Sequence, residues 1–237
     1  VRKAKERIGQ LAEETGYKAW ADEKKEVTLG GRKRTLKIGS IMELYAIWKR
    51  EHTSNPEMSQ HQAKGGVFFQ EDNEQDKEGV IRHVRTEQRA VRVTDEEIQA
   101  MYDSLTAEQK QLIDGVVKYL SSDMSDLGNE ASMRMYGIKK YKETYYFPMK
   151  VWDGVKAARS DKGITGTTEN RSAHYSWSKR RQHMASNALL VRPFMTDAVN
   201  HIVEMINYNT MAPAIENINK VLNYKFTEDV GTDDETN

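Results

Sequence analysis

Three potential metal ligands lie on one face of a stretch near the end of the chain. Asp197, His201 and Glu204 are spaced i, i+4 and i+7, which places them on the same side of an α-helix. Carboxylate and imidazole groups ligate several divalent ions. However, the H-E-x-x-H pattern is missing and no second set of ligands is spaced to complete the site. We therefore expect no metal site here, but a polar helix face stabilised by i, i+4 pairs.

A second candidate for chemistry is the basic segment 150–183. Between Lys150 and Arg181 the sequence has eight lysines and arginines against three acidic residues. Arginines near an aromatic side chain are typical of proteins that stack on bases and neutralise phosphates. The residues expected to contact nucleic acid in this way are Arg171, Trp177, Lys179, Arg180 and Arg181. The alternative is a solvated loop that covers the helical core or docks on an acidic neighbouring domain, and the sequence leaves both open.

No catalytic signature is present in the sequence. The chain has no cysteine, which excludes a disulfide framework and thiolate chemistry. The glycine pairs Gly30-Gly31 and Gly65-Gly66 fit neither a P-loop nor a dinucleotide-binding fingerprint, and there is no G-x-S-x-G. We therefore expect no catalytic residue and no cofactor, and a non-enzymatic chain is favoured over an enzyme of standard type.

The composition favours a mainly α-helical fold. Of the 237 residues, 38% are hydrophobic, 30% are charged and four are prolines, so long helices meet few interruptions. Basic and acidic residues both number 36, which removes any global charge argument for nucleic acid or an anionic membrane. No apolar run approaches the length of a membrane span. We expect an irregular multi-helix domain with one small β-hairpin and no membrane partner.

Residues 94–148 carry the longest helical periodicity in the chain. Thr94 and Thr106 each open an S/T-x-x-E/Q capping box, in which two side chains satisfy free amides at a helix start. They predict two successive helices. Gly115, inside the second helix, lowers helix propensity and indicates a close contact with another helix.

The end of this stretch contains stop signals. Gly128 follows the apolar stripe as a predicted C′ residue, and Asn129 is predicted to cap the next helix. Pro148 forbids helix continuation. The aromatic run at 145–147 is predicted to form a hydrophobic plug where the chain turns back.

Earlier in the chain, residues 1–15 are predicted to form a thin amphipathic helix that needs a partner. Two alternating runs around Gly30-Gly31 resemble a β-hairpin. Ser40 and Glu43 fit a third capping box before another apolar stripe.

Two prolines near the carboxyl end suit the first turn of a helix. Pro193 and Pro213 therefore predict two helices that pack as an antiparallel pair. Val199 belongs to the apolar stripe of the first helix, and Ile218 and Val221 belong to that of the second.

The chain divides into three predicted parts. Residues 1–35 hold the N-terminal helix and the hairpin, and residues 36–226 form a helical domain that includes a basic irregular segment at 149–187. Residues 227–237 are an acidic tail that is predicted to be disordered.

Two sets of motifs resemble a known family. Residues 36–66 read LKIGSIMELYAIWKRE…GG, and the later motifs NE.S, YG, YYFP, NALLVRPF, YNTMAP and VLNY follow in order. Both resemble a helical associated domain of the large polyvalent proteins of bacteriophages, prophages and conjugative elements. The resemblance implies a spacer or interaction domain whose partners are neighbouring domains of a larger polypeptide. It also implies a place in the cytoplasm of a bacterial host or in a virion, and it carries over no catalytic residue.

Overall fold

The computed structural model describes residues 2–54, 65–69, 90–150 and 188–222. The elements in chain order are α1 (Arg2–Glu14), α2 (Tyr17–Trp20), β1 (Lys24–Leu29), β2 (Arg32–Lys37), α3 (Ile38–Ser54), β3 (Val67–Phe69), α4 (Asp95–Asp103), α5 (Ala107–Tyr119), a π-helical turn (Leu120–Met124), α6 (Ser125–Tyr136), β4 (Leu189–Val191) and α7 (Phe194–Leu222). The protein is mainly helical, with an irregular arrangement of helices and a small antiparallel hairpin. The predicted fold class is therefore confirmed.

The first helix and the hairpin form where the sequence predicts them. Helix α1 buries Ala4, Ile8 and Leu11, and strands β1 and β2 pair antiparallel up to Leu29 and Arg32. Gly30 and Gly31 form the two-residue turn with φ of 58° and 71°. Positive φ at both positions gives a turn whose twist matches that of the paired strands, and glycine adopts it without steric strain.

Glu97 joins the hairpin to the start of α4. The capping box of Thr94 and Glu97 is formed as predicted, and the Glu97 carboxylate accepts a bond of 3.1 Å from the Thr94 amide. The same carboxylate accepts from the Gly30 amide at 3.1 Å and from the Gly31 amide at 2.9 Å. These bonds lower the pKa of Glu97 against the opposing effect of its desolvation, which is the largest single contribution. One side chain therefore caps a helix and fixes the tip of the hairpin.

We expect Glu97→Ala to lower the free energy of unfolding by about 2 kcal/mol, because three amides lose a charged acceptor. Glu96→Ala is the matched control, since Glu96 lies beside it in the first turn of α4 and is exposed. Urea denaturation of both variants measures the difference. An equal loss of stability in the two variants would show that Glu97 contributes only its negative charge in the first turn of α4, and not its bonds to the hairpin.

Helices α5 and α6 form one continuous rod through the π-helical turn. The Thr106 capping box is formed as predicted. Gly115 is the predicted close contact, because a Cβ there would lie 2.7 Å from Leu11 Cδ2 of α1. The rod ends at Gly137, the C-cap of α6 with φ of 69°.

The predicted stop at Gly128 is wrong, and so is the predicted cap at Asn129. Both residues lie inside α6. A Cβ at Gly128 would lie 2.5 Å from Met205 Cε, so this glycine permits close packing against α7. The Asn129 side chain donates to the Tyr141 carbonyl at 2.8 Å and accepts from the Tyr141 amide at 2.9 Å. The local sequence predicts a helix end at these two residues, but both instead make tertiary contacts from within α6.

The predicted capping box at Ser40 is also wrong. Helix α3 starts at Ile38, directly after β2, and the Ile38 amide donates to the Glu23 carbonyl at 3.0 Å. Ser40 therefore lies within the helix and is buried. Glu43 does not reach back along α3; its Oε1 accepts from the Arg192 amide at 3.1 Å.

The predicted pair of helices at the carboxyl end is a single helix. Helix α7 continues through Pro213, although proline removes one helical hydrogen bond. Tyr208 and Ala212 are each 1% exposed and pack with Ala131 of α6. This packing stabilises the turn of the helix that precedes Pro213 and offsets the missing hydrogen bond.

A small parallel pair of strands lies against the helices. Strand β3 pairs with β4, Val67 bridges Val91, and the Leu190 amide donates to the Lys150 carbonyl at 2.8 Å. Phe147 is fully buried and stacks on Phe194 with ring centroids 4.8 Å apart, as expected of the plug.

The main core joins residues from α1, the hairpin, α3, α5 and α7 in one cluster. The domain boundaries stay predictions, and the acidic tail lies outside the described residues, as does the basic segment after Lys150. Within the described ranges, no helix combines the length and the apolar character of a membrane span.

Candidate functional site

The structure places only part of the predicted site residues. The residues expected to contact nucleic acid lie outside the described ranges; they are Arg171, Trp177, Lys179, Arg180 and Arg181. The three weak metal candidates lie on α7, where Asp197 and His201 are buried and Glu204 is half-buried. In the described part of the chain, no group of three or more acidic or histidine side chains is arranged to hold a metal ion.

Instead, Asp197 and His201 belong to a set of charged and polar side chains between α3 and α7. Asp197 forms an ion pair with Arg192, and the Arg192 amide bonds Glu43 of α3. One turn further along α7, the His201 ring lies 5.0 Å from the ring of Tyr146, over which Arg50 of α3 also packs. We call this set the charged cluster; its members are Glu43, Arg50, Arg192, Asp197 and His201.

Arg50, on α3, binds the loop that follows α6. Its Nε and Nη2 donate to the two carboxylate oxygens of Glu143 at 2.7 and 2.9 Å, and Nη1 donates to the Phe147 carbonyl at 2.5 Å. The guanidinium carbon lies 4.0 Å from the Tyr146 ring centroid. Bidentate pairing and stacking on a ring both depend on the planar guanidinium, so lysine would reproduce these contacts only in part.

Glu43 is the most buried acid of the cluster. The residue is 0% exposed, and its Oε2 has no hydrogen-bond partner in the described part of the chain. Burial raises the pKa of Glu43 to about 8, although the Arg192 amide and the charges of Arg192 and Lys150 act in the opposite direction. Burial therefore favours the protonated form of the Glu43 carboxyl.

The pKa of His201 is shifted in the opposite direction. Burial lowers its pKa to about 4, and the positive charge of Arg50 adds to the effect. Burial also lowers the pKa of Lys150. The two pKa shifts favour a neutral carboxyl and a neutral imidazole, so the cluster holds fewer charged groups inside the protein than its residue types indicate. Its chemical effect is to fix one side of α7 against α3 and the loop after α6.

The opposite side of α7 is exposed, and the side chains described there carry no charge. Every exposed side chain that the structure describes on this helix is uncharged. They are Thr196, Val199, Asn200, Val203, Asn207, Thr210, Met211, Ala214, Asn217, Ile218 and Val221. The large apolar members are between 41% and 74% exposed. We call this surface the α7 face.

The α7 face differs from the other exposed helix surfaces of a protein in which 30% of residues are charged. On α1, for comparison, the exposed side is formed mostly by charged residues such as Arg2, Lys3, Lys5 and Glu6. An exposed helix face with several large apolar side chains, and with no charge among its described side chains, is typical of a site of contact with another molecule. The α7 face is therefore the candidate functional surface of the described chain.

Sequence reasoning missed both features. It placed Val199, Ile218 and Val221 in buried stripes, which is wrong, since they are 41%, 57% and 74% exposed. Two signals were available. On α7, Asp197 and His201 lie on the side of the helix opposite Val199 and Val203. On α3, Glu43 and Arg50 lie seven residues apart and interrupt the apolar stripe. Charged residues on a predicted core face indicate a buried polar network.

Comparisons of this chain with protein-family models, curated protein sequences and solved structures gave no match.

Proposed function

We propose that this chain is a non-enzymatic interaction module of a multidomain protein from a bacteriophage or another mobile genetic element. The observation that carries the proposal is the α7 face. The setting rests on the resemblance of residues 36–66 and of the later motifs to the large polyvalent proteins.

The chemistry of the α7 face specifies the class of partner. Its valines, methionine and isoleucine gain free energy when they leave water, at about 25 cal/mol per Å² of apolar surface. Its asparagines and threonines can exchange hydrogen bonds with a protein surface. Phosphates would find no cation among the described side chains of this face. The proposed partner is therefore a protein, either a neighbouring domain of the same polypeptide or another copy.

The absence of cysteine allows a direct test of whether protein covers the α7 face. Val203→Cys places a single thiol on the face, and Gln10→Cys places one on the exposed side of α1 as the matched control. Both variants are made in the intact polypeptide that the gene encodes, and mass spectrometry measures the rate of thiol labelling at the introduced cysteine. We expect the cysteine at position 203 to react at least about tenfold more slowly than the one at position 10. Equal rates at all concentrations would contradict an interaction surface on α7.

A nucleic-acid-contacting module is the second candidate function. It is favoured by the basic excess between Lys150 and Arg181 in a chain with no net charge. The Leu190 amide donates to the Lys150 carbonyl, so the described residues on the two sides of this segment meet beside the charged cluster.

We expect the combined change of Lys179, Arg180 and Arg181 to alanine to weaken binding to all DNA sequences alike, because phosphate contacts carry no sequence information. The plot of log affinity against log salt concentration should become shallower by about two to three units. Replacing Arg2, Lys3 and Lys5 on α1 removes the same charge elsewhere and is the control. Titration of labelled single- and double-stranded DNA at low salt measures both effects. No binding by wild-type protein at micromolar concentration would remove this candidate.

A further inference from the structure

We infer that the exposed face of the β1–β2 hairpin contacts the phosphate backbone of double-stranded DNA. This role rests on the nucleic-acid-contacting function proposed above, and it adds a contact surface on residues that the structure describes. The charge of the hairpin, the side chains on its exposed face and the contacts that fix its position all support this role.

The hairpin is strongly basic although the chain as a whole is neutral. Residues 24–37 contain six lysines and arginines and one acidic residue, which gives a net charge of 6 − 1 = +5 within fourteen residues. The whole chain has 36 basic and 36 acidic residues. Positive charge that is concentrated on one small element attracts a polyanion even when the net charge of the protein is zero.

The two faces of the hairpin carry different side chains. Val27, Leu29 and Leu36 lie on the buried face and are 8%, 1% and 1% exposed. Because successive side chains of a strand alternate between faces, the pairing register defines the residues of the opposite face. They are Lys24, Glu26 and Thr28 of β1 and Lys33, Thr35 and Lys37 of β2. Lys37 is half-buried and the other five are exposed; we call this surface the hairpin face.

The composition of the hairpin face favours a DNA duplex over other partners. None of its six side chains is apolar, whereas the centres of protein interfaces are apolar and depleted of lysine. None is aromatic, whereas proteins hold single-stranded nucleic acid largely by stacking its bases on aromatic rings. Lysine and threonine side chains are common donors to phosphate oxygens. The hairpin face therefore suits the phosphates of a duplex.

The dimensions of the hairpin also suit DNA. Its two strands lie about 4.8 Å apart, and the major groove of B-DNA, about 12 Å wide, admits a two-stranded ribbon, while that of an RNA duplex is too narrow. Lys24 and Lys37 pair across the ribbon, and Lys33 lies four residues from Lys37, at about 13 Å. This separation is close to the groove width, so the lysines can reach phosphates on its two sides.

Two acidic side chains lie beside the lysines of the hairpin face. Lys33 Nζ lies 2.8 Å from Glu26 Oε1, and Lys37 Nζ lies 3.3 Å from Asp22 Oδ1. The side chains of Glu26 and Asp22 are 63% and 95% exposed, and exposed ion pairs of this kind contribute little to stability. A phosphate can therefore replace either carboxylate, which water then solvates.

Contacts at the turn and on the buried face fix the orientation of the hairpin. The Glu97 carboxylate accepts from the amides of Gly30 and Gly31 at the turn, and Lys25 Nζ donates to the Ser104 carbonyl. The hairpin face is therefore held in one orientation before any partner binds, which reduces the conformational entropy lost on binding.

Titration of a labelled DNA duplex with the purified chain at low salt tests this role. One variant combines Lys24→Gln, Lys33→Gln and Lys37→Gln. We expect it to bind at least about tenfold more weakly, and its plot of log affinity against log salt concentration should be shallower by about two to three units, because up to three phosphate contacts are lost. Urea denaturation checks that the variant remains folded.

The matched control removes the same charge from other elements. It combines Lys118→Gln on α5 with Lys139→Gln and Lys142→Gln on the loop after α6, all at exposed positions, and it should bind within about twofold of the wild type. Thr35→Glu is a second variant of the hairpin face that removes no cation. It should also weaken binding, because it places a negative charge against the phosphates, whereas Gln10→Glu on α1 should not.

Polyglutamate and single-stranded DNA identify the class of partner. We expect both to bind more weakly than the duplex. If polyglutamate binds as tightly as the duplex and the three lysines are needed for both, the hairpin face recognises an acidic protein, and the assignment to DNA is overturned. Tighter binding of the single strand would overturn the duplex.

The hairpin face and the nucleic-acid-contacting function fail in different ways. If the wild-type chain does not bind the duplex at micromolar concentration, both are overturned. If it binds, and the three hairpin substitutions weaken binding no more than the control does, the hairpin face is overturned. The nucleic-acid-contacting function then depends on the alanine variant of Lys179, Arg180 and Arg181. Weaker binding by the hairpin variants alone supports the hairpin face.

Discussion

Replacement of Arg50 by methionine should lower the free energy of unfolding by about 3–5 kcal/mol. The change removes the paired bonds to Glu143 and the bond to the Phe147 carbonyl. Loss of one partner of a buried ion pair costs about this much. Because the Glu143 side chain is 36% exposed, water can solvate it after the change, and the lower end of the range is expected. The unpaired Phe147 carbonyl adds about 1–3 kcal/mol within that total.

Two further variants separate the contributions of Arg50. Arg50→Lys keeps the positive charge but loses the planar, bidentate pairing, so its effect should be intermediate. Lys49→Met changes the adjacent residue on α3, whose cation lies 5.7 Å from the Tyr45 ring centroid and 5.0 Å from that of Tyr145. The loss of stability should be below about 1 kcal/mol. Chemical denaturation at one pH measures the free energy of unfolding of Arg50→Met, Arg50→Lys and Lys49→Met. If Arg50→Met and Lys49→Met lose equal stability, the loop after α6 does not depend on Arg50.

The second large effect is a fall in stability as pH rises from 6.5 to 8, caused by Glu43. Burial raises its folded-state pKa from 4.5 to about 8. The folded protein therefore keeps a proton that the unfolded chain has lost, and stability falls as the pH rises through this range. At about 1.4 kcal/mol per pH unit, the fall between pH 6.5 and 8 should be about 2 kcal/mol. The charged groups that face Glu43 are Arg192 and Lys150, and both act to reduce its pKa shift.

His201 produces the opposite slope at lower pH. Its folded-state pKa of about 4 lies below the ordinary value of 6.5, so its contribution is complete above pH 6.5 and is lost as the pH falls towards 4. Between pH 4.5 and 6.5 the slopes of Glu43 and His201 oppose each other, and stability should change little. The lowered pKa of Glu97 affects stability only below its ordinary pKa of 4.5, which lies outside this pH range.

Glu43→Gln isolates the effect of the buried carboxyl. Glutamine keeps an oxygen that can accept from the Arg192 amide and has no proton to lose, so the fall between pH 6.5 and 8 should disappear. Glu130→Gln, on the exposed side of α6, should leave it unchanged. Urea denaturation across this pH range measures the free energy for each protein. A wild-type curve that stays flat between pH 6.5 and 8 would show that Glu43 is solvated or paired in solution.

The features that sequence predicted well depend on neighbouring residues. The capping boxes at Thr94 and Thr106 form because both partners lie within one turn, and the hairpin forms because Gly30-Gly31 determines its turn. Gly115 was also identified correctly, since a glycine that weakens a strongly periodic helix is compensated where another helix packs closely against it. For the capping boxes and the hairpin, the local preference and the tertiary structure agree.

The features that sequence predicted wrongly depend on residues far apart in the chain. Gly128 resembles a helix stop, but Met205 and Tyr141 pack against it. Pro213 resembles a helix start, but packing of Tyr208 and Ala212 on α6 carries the helix through it. Glu43 resembles a capping residue, but its partner is Arg192, 149 residues away. The α7 face was missed for the same reason, because only contacts with α3 and α6 determine which side of an apolar helix is buried.

Oxidative footprinting of methionine in the unmodified protein tests the interaction surface most directly. Met211 on the α7 face is 44% exposed and Met133 on α6 is 45% exposed, so the two sulfurs should oxidise at similar rates when the face is free. Mass spectrometry measures sulfoxide formation at each position in the intact polypeptide at increasing concentration. We expect Met211 to become at least several-fold slower to oxidise than Met133 as the face is covered. Equal oxidation of Met211 and Met133 at every concentration would contradict an interaction surface on α7.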